Sequence, residues 1–295
     1  LDDAVALAIA SKSEDIEIKA VTTVGKNIYK INQVSASTCK AFGMCCQTGT
    51  GGVKPVFKDE FVTDDVYGKY TLYGGILPEF EVRDNGYAWD IIRDEAIKAD
   101  GELELITLGP LTNIAITFMR YPEIKPLIKR IICMGGSAYE GNITPKAEFN
   151  VWVDPDAFNY VFHSGVPIVM CGLDSTEQAY LTIDELKSFV GRDTKIKELF
   201  DHIFNFFISK RTNSTDDDKL QTIYDAITVA WALDESIGTT KKYYVTVETK
   251  GPNAGWTILD RRGKYKKEPN VEVLETADRE KFKAMLEEML EYYKN

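Results

Sequence analysis

The sequence LELITLGPLTNIAITFMR at residues 103–120 predicts the fold more directly than any other stretch. Its first part, residues 103–108, is a short aliphatic run of the kind that forms a buried strand. After a Gly-Pro turn, apolar residues recur at helical spacing through residues 111–120. A strand that leads straight into a helix is the repeating unit of a parallel sheet whose faces are covered by helices.

The same alternation of strands and helices continues along the chain. We predict further strands at residues 18–22, 130–134 and 167–173, and further helices at residues 4–10, 87–98, 155–163, 195–211, 224–233 and 279–293, with a β-rich segment at residues 243–273. The predicted fold class is α/β, with an open, mostly parallel central sheet and helices on both faces.

Composition and charge narrow the class of protein. The 295 residues carry a formal net charge of −11, from 46 acidic and 35 basic residues, so nucleic acid and anionic membrane surfaces are poor partners. No apolar run approaches the roughly 20 residues that span a bilayer. Five cysteines, two of them adjacent at Cys45 and Cys46, favour a reduced cytoplasmic protein over a disulfide framework. Because no repeat or linker divides the sequence, we expect residues 1–295 to form a single domain.

Candidate functional residues follow the predicted strands. In an open parallel sheet, ligands bind beyond the carboxyl ends of the strands. The polar or flexible residues at these positions are Asp2 and Asp3 before the first helix, Thr112 and Asn113, Gly135 and Gly136, and Asp174 and Ser175. No G-x-G-x-x-G or P-loop sequence follows a strand, which argues against a dinucleotide or P-loop site.

Several acidic and amide residues along the chain also have a purely structural explanation. Asp2, Asp3 and Asp225 stand at helix starts, where aspartate caps free N–H groups. Glu148 and Asn150 would share one face of the chain if residues 148–150 were extended, as in an ordinary half-exposed strand. Asp154, followed by proline, is interpreted as a helix start only.

Seven short motifs, taken in order, resemble one enzyme family. L-D-D-A at residues 1–4 is similar to the end of a D-x-D-P-G-x-D-D-A motif, and G-P-L-T-N-I-A at residues 109–115 is similar to a second signature. They are followed by C-M-G-G at 133–136, G-N-I-T-P at 141–145, A-E-F-N at 147–150 with D-P at 154–155, G-L-D-S-T at 172–176 and Y-D-A at 224–226. The ordered set resembles the inosine-uridine preferring nucleoside hydrolases, Ca²⁺-dependent N-ribohydrolases with a Rossmann-like core.

The resemblance implies a reaction and a set of roles. The reaction is hydrolysis of the N-glycosidic bond of a ribonucleoside to free base and ribose, by a water bound to Ca²⁺. The implied metal ligands are the carboxylates of Asp3 and Asp225 and the backbone carbonyl of Thr112. The implied substrate-binding residues are Asp2 and Asn150 on the ribose hydroxyls, Asn142 and Glu148 at the 5′-hydroxyl, and Met134 against the sugar.

The resemblance also sets expectations about the remainder of the protein. In this family the catalytic base is the Asp of the D-P-G element, so we expect residues preceding Leu1 to supply that base and the first strand. Relatives assemble as homodimers or homotetramers and act in purine and pyrimidine salvage, and we expect the same here. The alternative is a riboside-binding protein that keeps the fold without catalysis.

The proton donor to the leaving base is expected to differ from that of many relatives. Tyr224 stands where many members have histidine and purine-specific ones have tryptophan, so Tyr224 is the candidate catalytic residue, either donating a proton or stacking on the base. Tyr67, Tyr70 and Tyr73 are further candidates for base binding, in a segment (residues 49–84) interpreted as a mobile loop over the site or, alternatively, a surface excursion. The two histidines, His163 and His202, are interpreted as structural.

Overall fold

A parallel sheet flanked by helices is the central feature of the molecule. A computed structural model describes residues 1–58, 86–212 and 220–295. The strands are β1 (Ala20–Thr23), β2 (Gln47–Thr50), β3 (Leu103–Thr107), β4 (Ile128–Met134), β5 (Ile168–Cys171), β6 (Thr240–Tyr243), β7 (Val245–Val247), β8 (Thr257–Leu259) and β9 (Val271–Leu274). The helices are α1 (Asp2–Ser11), α2 (Ile28–Ala41), α3 (Ala88–Ala99), α4 (Thr112–Arg120), α5 (Phe149–Val153), α6 (Pro155–Phe162), α7 (Leu173–Thr176), α8 (Ile183–Phe189), α9 (Lys197–Thr212), α10 (Tyr224–Leu233) and α11 (Arg279–Tyr292).

The main sheet has five strands in the order β3-β4-β5-β9-β6. Neighbouring strands from β3 to β9 run parallel, and only β6 at one edge is antiparallel. The register aligns Ile131 with Ile168 and Met134 with Cys171. The predicted α/β class with a mostly parallel sheet is therefore confirmed.

Alternate residues of the central strands point into two separate cores. Ile132 on β4 packs into a cluster with α1, α9, α10 and α11, whereas its neighbours Ile131 and Cys133 pack with α3, α4 and α6. On β5, Val169 and Met170 divide in the same way. This alternation is what a strand with helices on both faces requires.

The strands β1 and β2 form a separate parallel pair. Within the described ranges, β1 pairs with β2 alone and β3 pairs with β4 alone, so each of the two strands has one unpaired edge. All five residues of β3 are only half-buried, although the strand is as aliphatic as β4, whose residues 131–134 are fully buried. Asn113 ties helix α4 to the β1–β2 pair, because its side chain donates to the Thr23 carbonyl at 3.0 Å and accepts from the Gly52 N–H at 2.8 Å.

Several predicted elements shift or change type. The predicted strand at residues 18–22 forms at Ala20–Thr23, while α2, β2 and α8 were not predicted. Residues 148–150 do not form a strand, since Glu148 caps α5 and Asn150 lies in its first turn. A side-chain cap satisfies the free N–H groups of a helix start, which stabilises the helical alternative.

Some predictions lie outside the described residues. Tyr67, Tyr70 and Tyr73 fall there, as does most of the segment interpreted as a mobile loop. Among the helices that are described, none is both long and apolar enough to cross a membrane.

Candidate active site

The candidate site lies at the carboxyl edge of the main sheet. Met134 ends β4 and is buried, and Leu108 follows β3 at the same edge. The first turns of α1 and α10 bring Asp2 and Asp225 to this edge, where Asp225 interacts with both Asp2 and Glu148. Of the residues that the strand-end rule selected, Asp2, Asp3 and Gly136 lie beside Asp225 and Glu148 at this edge.

Glu148 is held by three backbone donors. Its carboxylate accepts from the N–H groups of Asn150 at 2.8 Å, Gly136 at 3.0 Å and Val151 at 3.1 Å. Gly135 and Gly136 adopt φ of +155° and +85°, a turn that brings the Gly136 N–H to the carboxylate. Burial raises the pKa of Glu148, and these hydrogen bonds oppose the rise. Glu148 therefore fixes the end of β4 to the start of α5.

Asn150 bridges two strand ends. Its amide nitrogen donates to the carbonyl of Leu108 at 3.0 Å and to that of Met134 at 3.3 Å, and it lies 3.3 Å from the Met134 sulfur. Nearby, the Asn142 side-chain oxygen accepts from the Phe149 N–H at 2.9 Å, which ties the preceding loop to α5. The structure thus brings Asn142, Glu148, Asn150 and Met134 together, and their predicted substrate-binding roles stay predictions.

The aspartates of α1 and α10 crowd against each other. Asp225 is 7% exposed, and burial together with the charges of Asp3 and Asp2 raises the pKa of Asp225 well above its ordinary value. Burial also raises the pKa of Asp2, which accepts a hydrogen bond from the Tyr224 backbone N–H. Each helix start therefore supplies acids whose charges repel across a short gap.

Tyr224 lies beside a further acid, Glu177. The Tyr224 hydroxyl is 3.5 Å from the Glu177 carboxylate. Burial and the Glu177 charge raise the pKa of the Tyr224 phenol, so Tyr224 is uncharged at neutral pH. Glu177 was not among the predicted residues, although its position three residues after Asp174 on the same turn could have indicated it.

Thr112 occupies a structural position. Its hydroxyl donates to Asp154 at 2.6 Å, and Asp154 also accepts from the Val56 and Ala157 N–H groups. Because Thr112 begins α4, its carbonyl belongs to the hydrogen-bond ladder of that helix. The carbonyl that lies at the sheet edge beside Asn150 is that of Leu108, which sequence reasoning missed. Asp154 caps α6, as predicted.

Neither histidine belongs to the site. His163 follows α6 and contacts Asn159 and Tyr244, and His202 lies within α9. Across residues 1–58, 86–212 and 220–295, no three His, Cys, Asp or Glu side chains form a complete metal-holding group by themselves. The aspartate cluster could supply only part of a metal site.

Comparisons with known proteins agree on one family. The model of the "Inosine-uridine preferring nucleoside hydrolase" family matches residues 1–284. A pyrimidine-specific ribonucleoside hydrolase RihA of Salmonella enteritidis is 32% identical over 297 residues, which cover 99% of this chain and 96% of the relative. The Escherichia coli RihA is 31% identical over 303 residues, with the same coverage.

Solved structures with the same fold are also nucleoside hydrolases. A plant nucleoside hydrolase superimposes with a TM-score of 0.89 at 26% identity, covering 98% of this chain and 95% of its own. A purine-preferring ribonucleoside hydrolase from Gardnerella vaginalis gives 0.86 at 27% identity, covering 98% and 96%. The chain therefore belongs to the inosine-uridine preferring nucleoside hydrolase family, and it is a glycosidase that hydrolyses ribonucleosides to free base and ribose.

Proposed function

We propose that Asp3 and Asp225 bind the divalent cation on which hydrolysis depends, and that this cation is Ca²⁺. The family is metal-dependent. The observation that carries the proposal is the crowding of like charge, since the pKa of buried Asp225 is raised by burial and by Asp3 and Asp2. Carboxylate oxygens from separate helices are the donors that Ca²⁺ prefers, and a dication between them would offset their repulsion.

The carbonyl ligand in this proposal is Leu108 rather than Thr112. The Leu108 carbonyl lies at the sheet edge, within 3.0 Å of the Asn150 amide, whereas the Thr112 carbonyl belongs to α4. A carbonyl at a strand end is free to take a second partner, because it has two lone pairs. Leu108 would thus place a neutral oxygen donor between the two aspartates and the sugar site.

The remaining oxygen ligands of the proposed Ca²⁺ would come from a strand between β1 and β3. Both strands offer an unpaired edge in the described part of the chain, and unpaired edges accept further strands. Helix α1 begins at the carboxyl edge, beside Tyr224 and Asp225, so a strand that leads into α1 would end there. The D-x-D-P-G element of the family would then meet Asp3 and Asp225, with its aspartate as the catalytic base.

The ribose would lie against the hydrogen-bonded half of the site. Asp2 and Asn150 would bind ribose hydroxyls, Asn142 and Glu148 would meet the 5′-hydroxyl, and Met134 would contact the sugar. Asn150 uses its amide nitrogen within the protein, which leaves its oxygen as the acceptor for a hydroxyl. When bound, Ca²⁺ would orient two ribose hydroxyls and lower the pKa of a water. The surrounding carboxylates favour the positive charge that develops on the ribosyl ring.

Tyr224 would act at the base end of the site. The phenol is protonated at neutral pH, so it can donate a hydrogen bond to the base or stack on it, although its raised pKa makes full proton transfer harder. Replacing Tyr224 with alanine should lower turnover by about a hundredfold while Ca²⁺ affinity changes little, in line with typical acid–base contributions. Tyr224→Phe separates the two roles, because it keeps the ring and removes the proton. An unchanged rate in Tyr224→Ala would reject this assignment.

The cellular role follows as part of the proposal. The protein would be a homo-oligomeric enzyme of nucleoside salvage in the cytoplasm, and of these properties the free cysteines support only the reducing compartment. Light scattering of the purified protein measures the oligomer, and a monomer at micromolar concentration would contradict that part of the proposal.

The direct test is ribose release by the full natural chain from uridine, cytidine, inosine and adenosine, with and without a Ca²⁺ chelator. Chelator-sensitive release is expected, and the four rates give the base preference. Pyrimidine nucleosides are the first substrates to try, because the RihA relatives are named pyrimidine-specific. A folded, Ca²⁺-loaded protein that releases no ribose would instead support the riboside-binding alternative.

A further inference from the structure

We propose that Cys39 and Cys46 form a reversible oxidation site, in which a small-molecule disulfide converts the two thiols into an intramolecular disulfide. Cys39 lies in the last turn of α2, and Cys46 immediately precedes β2. Both are free thiols. The site lies at the amino end of β2, whereas the candidate active site lies at the carboxyl ends of the strands, so the proposal is independent of catalysis.

A short turn brings the two cysteines together. Gly43 has φ of +71°, and the Met44 N–H donates to the Cys39 carbonyl at 2.8 Å. The turn is anchored by Phe42, which is 5% exposed and packs against Phe200 and Tyr293. The result is that the Cys39 and Cys46 side chains hydrogen-bond each other in the folded protein. Two thiols in contact need little backbone movement to reach bonding distance.

The two thiols differ in a way that assigns their roles. Cys46 is half-buried and Cys39 is 3% exposed, so only Cys46 can meet a reagent from solution. The hydrogen bond lowers the pKa of Cys46, while the same bond and burial raise the pKa of Cys39. Cys46 is therefore the attacking thiol and Cys39 the resolving thiol.

The reaction balances with a disulfide RSSR as the oxidant. The Cys46 thiolate attacks one sulfur of RSSR, forms a mixed disulfide and expels RS⁻. The Cys39 thiol passes its proton to RS⁻ and attacks the Cys46 sulfur, which forms the internal disulfide and expels the second RS⁻. Two cysteines are oxidised by two electrons in total, and RSSR is reduced to two thiols.

Tryptic mapping after treatment with oxidised glutathione tests the proposal. Lys40 lies between the two cysteines, so trypsin separates Cys39, in residues 31–40, from Cys45 and Cys46, in the peptide that begins at Ala41. An internal disulfide therefore appears as two linked peptides that separate on reduction. The linked pair is expected in the wild type and in Cys45→Ser, and it should be lost in Cys39→Ser and Cys46→Ser.

The exposed Cys45 and the buried strand cysteines provide the controls. Cys45 is exposed and adjacent to Cys46, so a linked pair that persists in Cys46→Ser would overturn the assignment. A glutathione adduct without linked peptides in Cys45→Ser would do the same. Cys133 and Cys171 are buried neighbours on β4 and β5 and should stay reduced. Their oxidation alongside Cys39 would mean that unfolding, and not the native contact, exposes the thiols.

Discussion

The two halves of the active site hold their carboxylates in opposite ways. On the α5 side, the Glu148 carboxylate accepts three backbone hydrogen bonds, so its buried charge has partners within the protein. Where α1 and α10 meet, Asp225 is also buried but faces Asp2 and Asp3. A buried charge without compensation costs several kcal/mol. The first half is therefore preorganised by the protein itself, whereas the second, as we propose, depends on a bound cation.

Because of this difference, we expect the α5 side and the aspartate side to have separate roles in catalysis. The α5 side is held by hydrogen bonds within the protein, with Asn150 in the first turn of α5 and Asn142 bonded to the Phe149 N–H, and we propose that it binds the sugar. On the aspartate side, the carboxylates repel one another, and a bound cation would relieve this repulsion. The affinity for the metal would therefore depend on how close together these carboxylates lie. Replacing Glu148 should lower stability as well as weaken ribose binding, whereas replacing Asp225 should mainly lower the metal-dependent rate.

The largest effect is expected from Asp225→Asn. We expect the rate of ribose release to fall by about a thousandfold, several kcal/mol of transition-state stabilisation, because a metal ligand is lost. The melting temperature of the metal-free protein should not fall, since a repelling charge is removed. Asp184→Asn is the matched control, because its side chain is 92% exposed on α8. A rate for Asp225→Asn within tenfold of wild type would break the proposed division between the halves.

Glu148→Ala should be next in size, and it should act on stability. Three buried N–H groups would lose their acceptor, for an expected loss of about 3 kcal/mol in the free energy of unfolding. Glu148→Gln keeps the volume and one acceptor oxygen, so its loss should be smaller. Urea denaturation measures both variants. If alanine cost less than about 1 kcal/mol, Glu148 would not be the fixing element of this half.

Calcium should stabilise the protein more at neutral than at acid pH. The pKa of Asp225 is raised above its ordinary 3.8, so this group favours the folded metal-free protein at acid pH and loses that contribution as pH rises above 3.8. Ca²⁺ binds only the ionised carboxylate of Asp225. At neutral pH, Ca²⁺ binding therefore restores the stability that ionisation of Asp225 removes. At a hundredfold excess over Kd, about 2.7 kcal/mol, or roughly 5 °C in Tm, is expected at pH 7. A calcium shift that is equal at pH 5 and pH 7 would contradict this linkage.

The smallest effect is expected at Glu185, whose carboxylate on α8 is paired with Arg279 and Lys283. Burial would raise the pKa of Glu185, but the Thr182 N–H, Lys283 and Arg279 outweigh it and lower the pKa to about 2. Glu185 also completes the capping box of α8. Glu185→Gln should cost about 1 kcal/mol at pH 7. Because the folded-state pKa is depressed, the cost should shrink as pH falls from 4.5 towards 2. A cost that is constant over this range would exclude the ion pairs as its origin.

The strands of the main sheet were predicted from the sequence more accurately than the region around α2 and β2. The strands of the main sheet are continuous aliphatic runs, so β3, β4 and β5 were located within about two residues. The region around α2 and β2 lacks such runs, since β2 has the sequence QTGT, and it was missed. Burial of β2 comes from contacts with β1, α2 and α3, which local sequence does not encode.

The site itself was predicted mainly through motif order. Met134, Asn142, Glu148 and Asn150 meet as expected, and Asp2, Asp3 and Asp225 lie close together. The Glu148 cap and the Leu108 carbonyl could not be derived, because both depend on where backbone groups point after folding. A carbonyl has no residue-type signature, so only the position of Leu108 at a strand end could have indicated it.

The most direct test of the central claim is a Ca²⁺ titration of the metal-free full natural chain, with bound Ca²⁺ and ribose release measured on the same samples. Ribose release should rise in proportion to bound Ca²⁺ and saturate when each chain holds a single ion, and Asp225→Asn should lose both signals together. Full ribose release from the wild type after Ca²⁺ has been removed would contradict the account.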